Sequence, residues 1–385
     1  MARTTSSRDA RQATQRVAAP AGKILPSDTR LHHRTLVLQH LVDDGPQSRA
    51  DLARLTKLAR VTISDVVSGL IADNLVIELG VRPGTHMGKP ATLVGVNPTG
   101  AYIACLDLSG DHDLRGSVVD LEGTIVVTHQ VALGDDRGDD AVDRTVELAR
   151  RLLLDAPGKV LGLGVGTPGI VSVDGEVRNA PNLRWERLAL GQHLRDALGV
   201  PVHVANDADS AALAEDTFIK GGGAGLLLVE IGRGVGAGIL LDGNLLRGPY
   251  GTAGEIGHVT VVPDGDPCTC GRHGCLEPLV AVPRLRARVA GLSEAQAASE
   301  LSSAGRQLGT VLAPVVQALG LRDVVLSGPS ELIDGPFRQA TESTVLALTR
   351  PFADEQVTVR MSALGRDGVL HGAAALVLDG ELGLS

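Results

Sequence analysis

A three-strand pattern occurs twice in this 385-residue chain, and that repetition restricts the possible folds more than any other feature. The first copy runs AYIACLDLSG, turns at Asp111-His112-Asp113, returns as LRGSVVDLEG and leaves again as TIVVTHQVAL. The second begins near residue 225 as GLLLVEIGRG, VGAGILLDG and NLLRG. Each copy is followed by segments of helical period and by further apolar strands such as LGLGVGTPG and VPVHVANDA. Strands alternating with helices bury both faces of a sheet, so two such units predict an internally duplicated, two-lobed α/β protein with a cleft between the lobes. Aromatic residues make up 2% of the chain, so its core must be built from Ala, Val, Leu and Ile.

A different pattern precedes the first copy. Residues 1–28 are polar and aperiodic and read as a tail. Leu36, Val37, Leu38, Leu41 and Val42 then recur at helical spacing. Ser48 can cap a second helix in which Leu52, Ala53 and Leu55 face inward, and a third helix buries Val61, Ile63, Val66, Val67, Leu70 and Ile71. VIELG and ATLVGV flank a Gly/Pro-rich tip as a β-hairpin. Three helices and a hairpin predict a winged helix-turn-helix over residues 29–96, with the two-lobed domain over 97–385. Its lobes are expected at about 97–206 plus a C-terminal helix, and at about 207–365.

Charge divides along the same boundary. Residues 1–90 carry 13 Lys and Arg against 8 Asp and Glu, and the remainder carries 23 against 37. A basic head on an acidic body assigns any polyanionic partner to the head. In the third helix Arg60, Thr62 and Ser64 lie at the exposed start, where helix-turn-helix proteins enter the major groove. Arg82, His86 and Lys89 would supply the wing. The competing reading is a winged helix used for protein contacts. No apolar run approaches the roughly 18 residues of a membrane span, and the first twenty residues lack a signal-peptide core. A cytoplasmic protein is therefore expected.

In a reducing compartment, clustered cysteines read as metal ligands. GEIGHVTVVPDGDPCTCGRHGC offers His258, Cys268, Cys270 and Cys275 within eighteen residues. Three thiolates and an imidazole close a tetrahedron around Zn²⁺ and leave no position for a catalytic water, so the zinc would be structural. The alternative, small buried cysteines with His258 in a core hydrogen bond, finds little apolar core between Gly271 and Gly274. Cys105 sits on an apolar strand and reads as core.

The GEIGH segment, the CTCGRHGCLE loop, VANDADSAALAE and GVGTPGIV together resemble the ROK family of repressors, open reading frames and sugar kinases, from about Thr35 to the C-terminal HGAAAL. The resemblance implies an actin-like, hexokinase-type (ribonuclease H-like) fold with a sugar in the interlobe cleft. Fusion to a winged helix implies the regulator branch. Carried over residue by residue, it makes Gly169, Asn206, Asp207, Glu255, His258 and Glu277 the sugar-binding set. Carboxylates and amides are also what vicinal hydroxyls require. Each alone reads equally well as a surface acid or helix cap.

The phosphate turns depart from the family pattern. Asp107-Leu108-Ser109-Gly110-Asp111 stands where the kinases have Asp-x-Gly-Gly-Thr, and a carboxylate at Asp111 repels phosphate. Arg233 replaces a threonine in the second turn, and its effect on phosphate could have either sign. Asp207 would be the general base of a kinase; without a phosphate cradle it is expected only to bind sugar. The sequence thus predicts a sugar-responsive, DNA-binding regulator, at least dimeric, that is not an enzyme. The alternatives are an ATP-dependent sugar kinase and a regulator whose sugar site is vestigial.

Overall fold

The computed structural model describes residues 26–81, 91–110, 112–219, 225–349 and 356–384. The head comprises α1 (Pro26–Asp44), β1 (Gln47–Ser48), α2 (Arg49–Thr56), α3 (Arg60–Ala72), β2 (Val76–Val81) and β3 (Thr92–Val96). Ser48 and Asp51 cap α2 reciprocally: the Asp51 amide donates to Ser48 Oγ at 3.1 Å, and the Ser48 amide to Asp51 Oδ2 at 3.3 Å. β2 and β3 pair antiparallel, and the two-residue β1 adds to the free side of β3.

Two inward assignments are corrected. Val61 is 72% exposed and Leu55 44% exposed. Ile63, Val66, Val67 and Leu70 set the buried stripe of α3, and at about 100° per residue Val61 lies roughly 200° from Ile63, on the opposite face. In the short α2 it is Leu52 that reaches the core.

The first lobe contains β4 (Tyr102–Asp107), β5 (Asp113–Asp120), β6 (Ile125–Ala132), α4 (Asp139–Asp155), β7 (Val160–Thr167), β8 (Ile170–Val171), β9 (Val177–Ala180), β10 (Trp185–Leu188), α5 (Leu190–Leu198) and β11 (Val202–Asn206). α6 (Asp207–Phe218) leads to the second lobe: β12 (Gly225–Ile231), β13 (Val235–Leu241), β14 (Asn244–Leu245), α7 (Glu277–Val280), α8 (Val282–Val289), α9 (Glu294–Leu319), β15 (Asp323–Ser327), α10 (Ser330–Ile333), α11 (Pro336–Leu348) and β16 (Thr358–Met361). α12 (Gly368–Leu382) ends the fold.

The duplication is visible in the sheets, ordered β6-β5-β4-β7-β11 and β14-β13-β12-β15-β16. In each, an antiparallel meander is extended by two parallel strands. α6 and α12 cross between the sheets at a separation only small residues permit. A Cβ on Gly372 of α12 would lie 1.8 Å from the Ser210 carbonyl of α6. α12 also presses its Ala373 carbonyl on Gly164 of β7, and α6 presses Ala208 on Gly238 of β13.

Leu370, Ala373, Ala374, Val377 and Leu378 of α12 share one apolar cluster with Ile103 and Cys105 of β4 and with Val37, Leu41 and Ile63 of the head. Thr35 Oγ1 of α1 donates to the Leu382 carbonyl at 3.0 Å. Cys105 is fully buried and burial raises its pKa, in keeping with a core thiol. Among the described residues no helix is long and apolar enough to cross a membrane.

Candidate effector cleft and metal centre

His258, Cys268, Cys270 and Cys275 offer ligand atoms that all lie within 4.8 Å of one another. Cys270 Sγ is 3.7 Å from Cys275 Sγ, and Cys268 Sγ is 3.5 Å from His258 Nδ1. A tetrahedron with Zn–S near 2.3 Å and Zn–N near 2.0–2.1 Å has edges of about 3.8 Å and about 3.6 Å. The donor set therefore fits a closed tetrahedral ion, with Nδ1 as the ligating nitrogen. The other nitrogen, Nε2, faces Glu255 Oε2 at 3.9 Å, so the ring lies beside a predicted sugar ligand without a direct hydrogen bond to it. Backbone bonds between the Gly274 carbonyl and the amides of Val261 (2.7 Å) and Val262 (3.1 Å) hold the loop shut.

Asn206 ends β11 and caps α6. Its Oδ1 accepts from the amides of Ala208 (2.9 Å) and Asp209 (3.2 Å), while its Nδ2 donates to the Gly169 carbonyl at 2.9 Å. Gly169 has φ +92°, and a Cβ there would lie 2.1 Å from the Asn179 carbonyl, so no other residue fits the turn. Glu255 is delivered by Gly254, where a Cβ would meet the Ala237 carbonyl at 1.8 Å. Glu277 begins α7; its Oε2 accepts from the Val235 amide at 3.2 Å and its Oε1 from Thr269 Oγ1 at 3.3 Å. Cys268 Sγ lies 3.8 Å from that same Oε1. The metal loop thus touches two of the predicted sugar ligands.

These acids lie close enough in the cleft to act on one another electrostatically. Burial, then the field of Glu230, and more weakly those of Asp107 and Glu255, push Asp207 up to about 8, against the Ala208 amide bond that lowers it. Burial likewise raises Glu230 to about 7 and Asp209 to about 6, the latter opposed by Arg247 3.8 Å away. Glu255 is raised by burial and by Glu277, with His258 opposing.

A cavity of about 410 Å³ lined by Asp107, Ser109, Arg115, Glu230, Arg233 and Arg366, among others, adjoins these acids. In it Asp107 is already occupied: Oδ1 accepts from the Ser109 amide (3.0 Å) and Ser109 Oγ (2.6 Å), and Arg115 Nη1 stands 3.6 Å from Oδ2. Arg115 also donates to the Arg366 carbonyl at 2.7 Å and pairs with Asp367. Sequence reasoning missed Arg115. The signal was available in the hairpin register, which sets Arg115 of β5 opposite Asp107 of β4. Arg247 and Asp209 were missed as well, although Asp209 follows Asp207 by two residues.

On the head, Arg60 and Ser64 are exposed on α3 and Thr62 is partly buried. The N-cap, Ala59, provides no side-chain acceptor. Arg82, His86 and Lys89 of the expected wing, and Asp111 of the phosphate turn, lie outside the described residues.

Duplicated five-stranded sheets articulated on one crossing helix pair constitute the actin-like, hexokinase-type architecture. Within it the chain belongs to the ROK family, whose profile matches residues 103–380. The xylose repressor of Bacillus subtilis (strain 168) is 29% identical over 252 residues, 64% of each protein, so the match spans less than two thirds of that relative. The DNA-binding transcriptional repressor Mlc of Escherichia coli (strain K12) is 27% identical over 373 residues, 87% of this chain and 90% of Mlc. Among solved structures, a ROK family transcriptional regulator homologous to the E. coli MLC protein superposes with a TM-score of 0.78 at 26% identity. That superposition covers 92% of this chain and 98% of the other.

Proposed function

We propose that this chain is a sugar-responsive transcriptional repressor: residues 29–96 bind an operator duplex, and the cleft of residues 97–385 binds a monosaccharide or a phosphorylated or N-acetylated relative. The observation that carries the reading is that the likeness to Mlc and to the solved regulator runs through head and lobes together. Asn206, Asp207, Glu255, His258 and Glu277 hold the sugar hydroxyls, with Gly169 shaping the loop beside them. Arg60, Thr62 and Ser64 meet the major groove, and Arg82 and Lys89 the flanking backbone or minor groove. A structural Zn²⁺ on His258, Cys268, Cys270 and Cys275 fixes the loop that carries Glu255 and Glu277. The active species is a homo-oligomer, at least a dimer, because helix-turn-helix proteins read paired half-sites.

A sugar kinase is the second reading, favoured by the cavity beside Asp107. Against it, the Ser109 amide and hydroxyl fold onto Asp107 instead of facing a phosphate, and Arg115 stands over its other oxygen. The test pairs calorimetric sugar titration and operator binding with ADP release on the same preparation. Sugar binding that changes operator affinity without turnover is expected. Turnover of roughly 1 to 100 per second, abolished by Asp207→Asn, would establish the kinase instead.

A further inference from the structure

The outward face of α3 consists of Arg60, Val61, Ser64, Asp65, Ser68 and Ala72. Apart from the small Ala72 at its far end, Val61 is its only apolar member, and at 72% exposed it is bare. It contributes nothing to the buried stripe of Ile63, Val66, Val67 and Leu70. A β-branched side chain is also a weaker helix former than the straight-chain residues that usually cover such positions. Single exposed apolar side chains occur elsewhere on the chain, Leu154 and Val173 among them, so what distinguishes Val61 is its position. It stands in the first turn beside Arg60, a turn with no acidic residue and no capping side chain to compete for base edges. In the major groove the group that a branched aliphatic side chain can recognise is the C5 methyl of thymine.

We propose that Val61 packs against a thymine methyl in each half-site and is a specificity-determining residue of the head, an inference that rests on the DNA-binding reading above. Arg60 next to it supplies a charged contact to guanine or phosphate, so the two first-turn residues divide the recognition between apolar and polar features of adjacent positions.

The full-length protein is used to select a binding site from a pool of random duplexes, and each thymine of that site is then replaced singly by deoxyuridine, which lacks only the methyl. The wild type should lose about threefold to fourfold in affinity at one position per half-site, the factor that burial of one methyl group carries. Val61→Ala should bind the thymine site about as weakly as the wild type binds that uridine site, and should be indifferent to the replacement. Val61→Thr keeps a methyl and should retain most of the discrimination. Unchanged thermal unfolding of both variants excludes a folding effect, since the side chain is exposed. A site selected successfully but with a flat uridine scan, or the same scan in Val61→Ala as in the wild type, overturns the assignment of Val61 alone. Failure to select any duplex overturns the DNA-binding reading beneath it.

Discussion

Replacing Asp207 by asparagine should make the folded protein more stable while weakening its sugar site, and the gain should depend on pH. Asp207 has its folded pKa raised from the ordinary 3.8 to about 8 by burial and by the neighbouring carboxylates Glu230, Asp107 and Glu255. An acid whose pKa is raised on folding favours the native state fully below its unfolded value and loses that contribution as pH rises through the folded one. Between pH 4 and pH 7 the full linkage amounts to roughly 4 kcal/mol at about 1.4 kcal/mol per unit. Water in the open cleft screens part of it, so the gain from Asp207→Asn at pH 7 should be on the order of 2–4 kcal/mol. Asparagine keeps the Oδ1 that accepts from the Ala208 amide, so the helix start is undisturbed. The chain's one tryptophan, Trp185, is buried in the first lobe with its Nε1 donating to the Gly138 carbonyl, and reports unfolding by fluorescence. Urea unfolding of both proteins from pH 4.5 to 8.5 should show curves that nearly meet at the acid end and diverge as pH rises. A pH-independent difference, or a variant less stable at pH 8, would refute the electrostatic account.

Other consequences are open to direct measurement. Cys275→Ser should lower bound zinc, measured by elemental analysis, and with it sugar affinity, because the loop that seats Glu277 loses its anchor; a metal-free, folded and sugar-competent protein would contradict the closed site. Asn206→Ala removes both a cap and the Gly169 contact, and should cost about 1–2 kcal/mol of stability, read from denaturation midpoints without sugar. Gly372→Val should cost more than about 4 kcal/mol or prevent folding, as no rearrangement clears a backbone carbonyl 1.8 Å away; expression with a normal melt would show that α6 and α12 can part.

The candidate metal-binding cluster was legible because its four residues fall within one eighteen-residue segment, where spacing alone constrains geometry. The duplicated sheets were legible because each meander is local. Less of the cleft was, because its contacts join residues far apart in the sequence. Glu277 reaches the Val235 amide forty-two residues away, a contact that only a closed fold creates. Arg115 belongs to both kinds: its pairing with Asp107 follows from a local hairpin, but its engagement of Asp367 depends on the return of α12. On the head, Val61 was misplaced because an apolar residue was assumed to be an inward one, although the helical period of Ile63, Val66 and Leu70 already placed it outside.

The cluster that joins α1 and α3 of the head to β4 and α12 has a thermodynamic consequence. Head and first lobe share that cluster, and Thr35 of α1 bonds the Leu382 carbonyl, so they are packed on each other rather than joined by a free tether. They should melt as one transition. A duplex held by the head alone would then raise the unfolding temperature reported by Trp185 in the first lobe, and a sugar would raise that of the head by the same linkage. Each ligand is in this sense a stabiliser of a region it never touches, and its reach is set by the cooperativity of one shared interior.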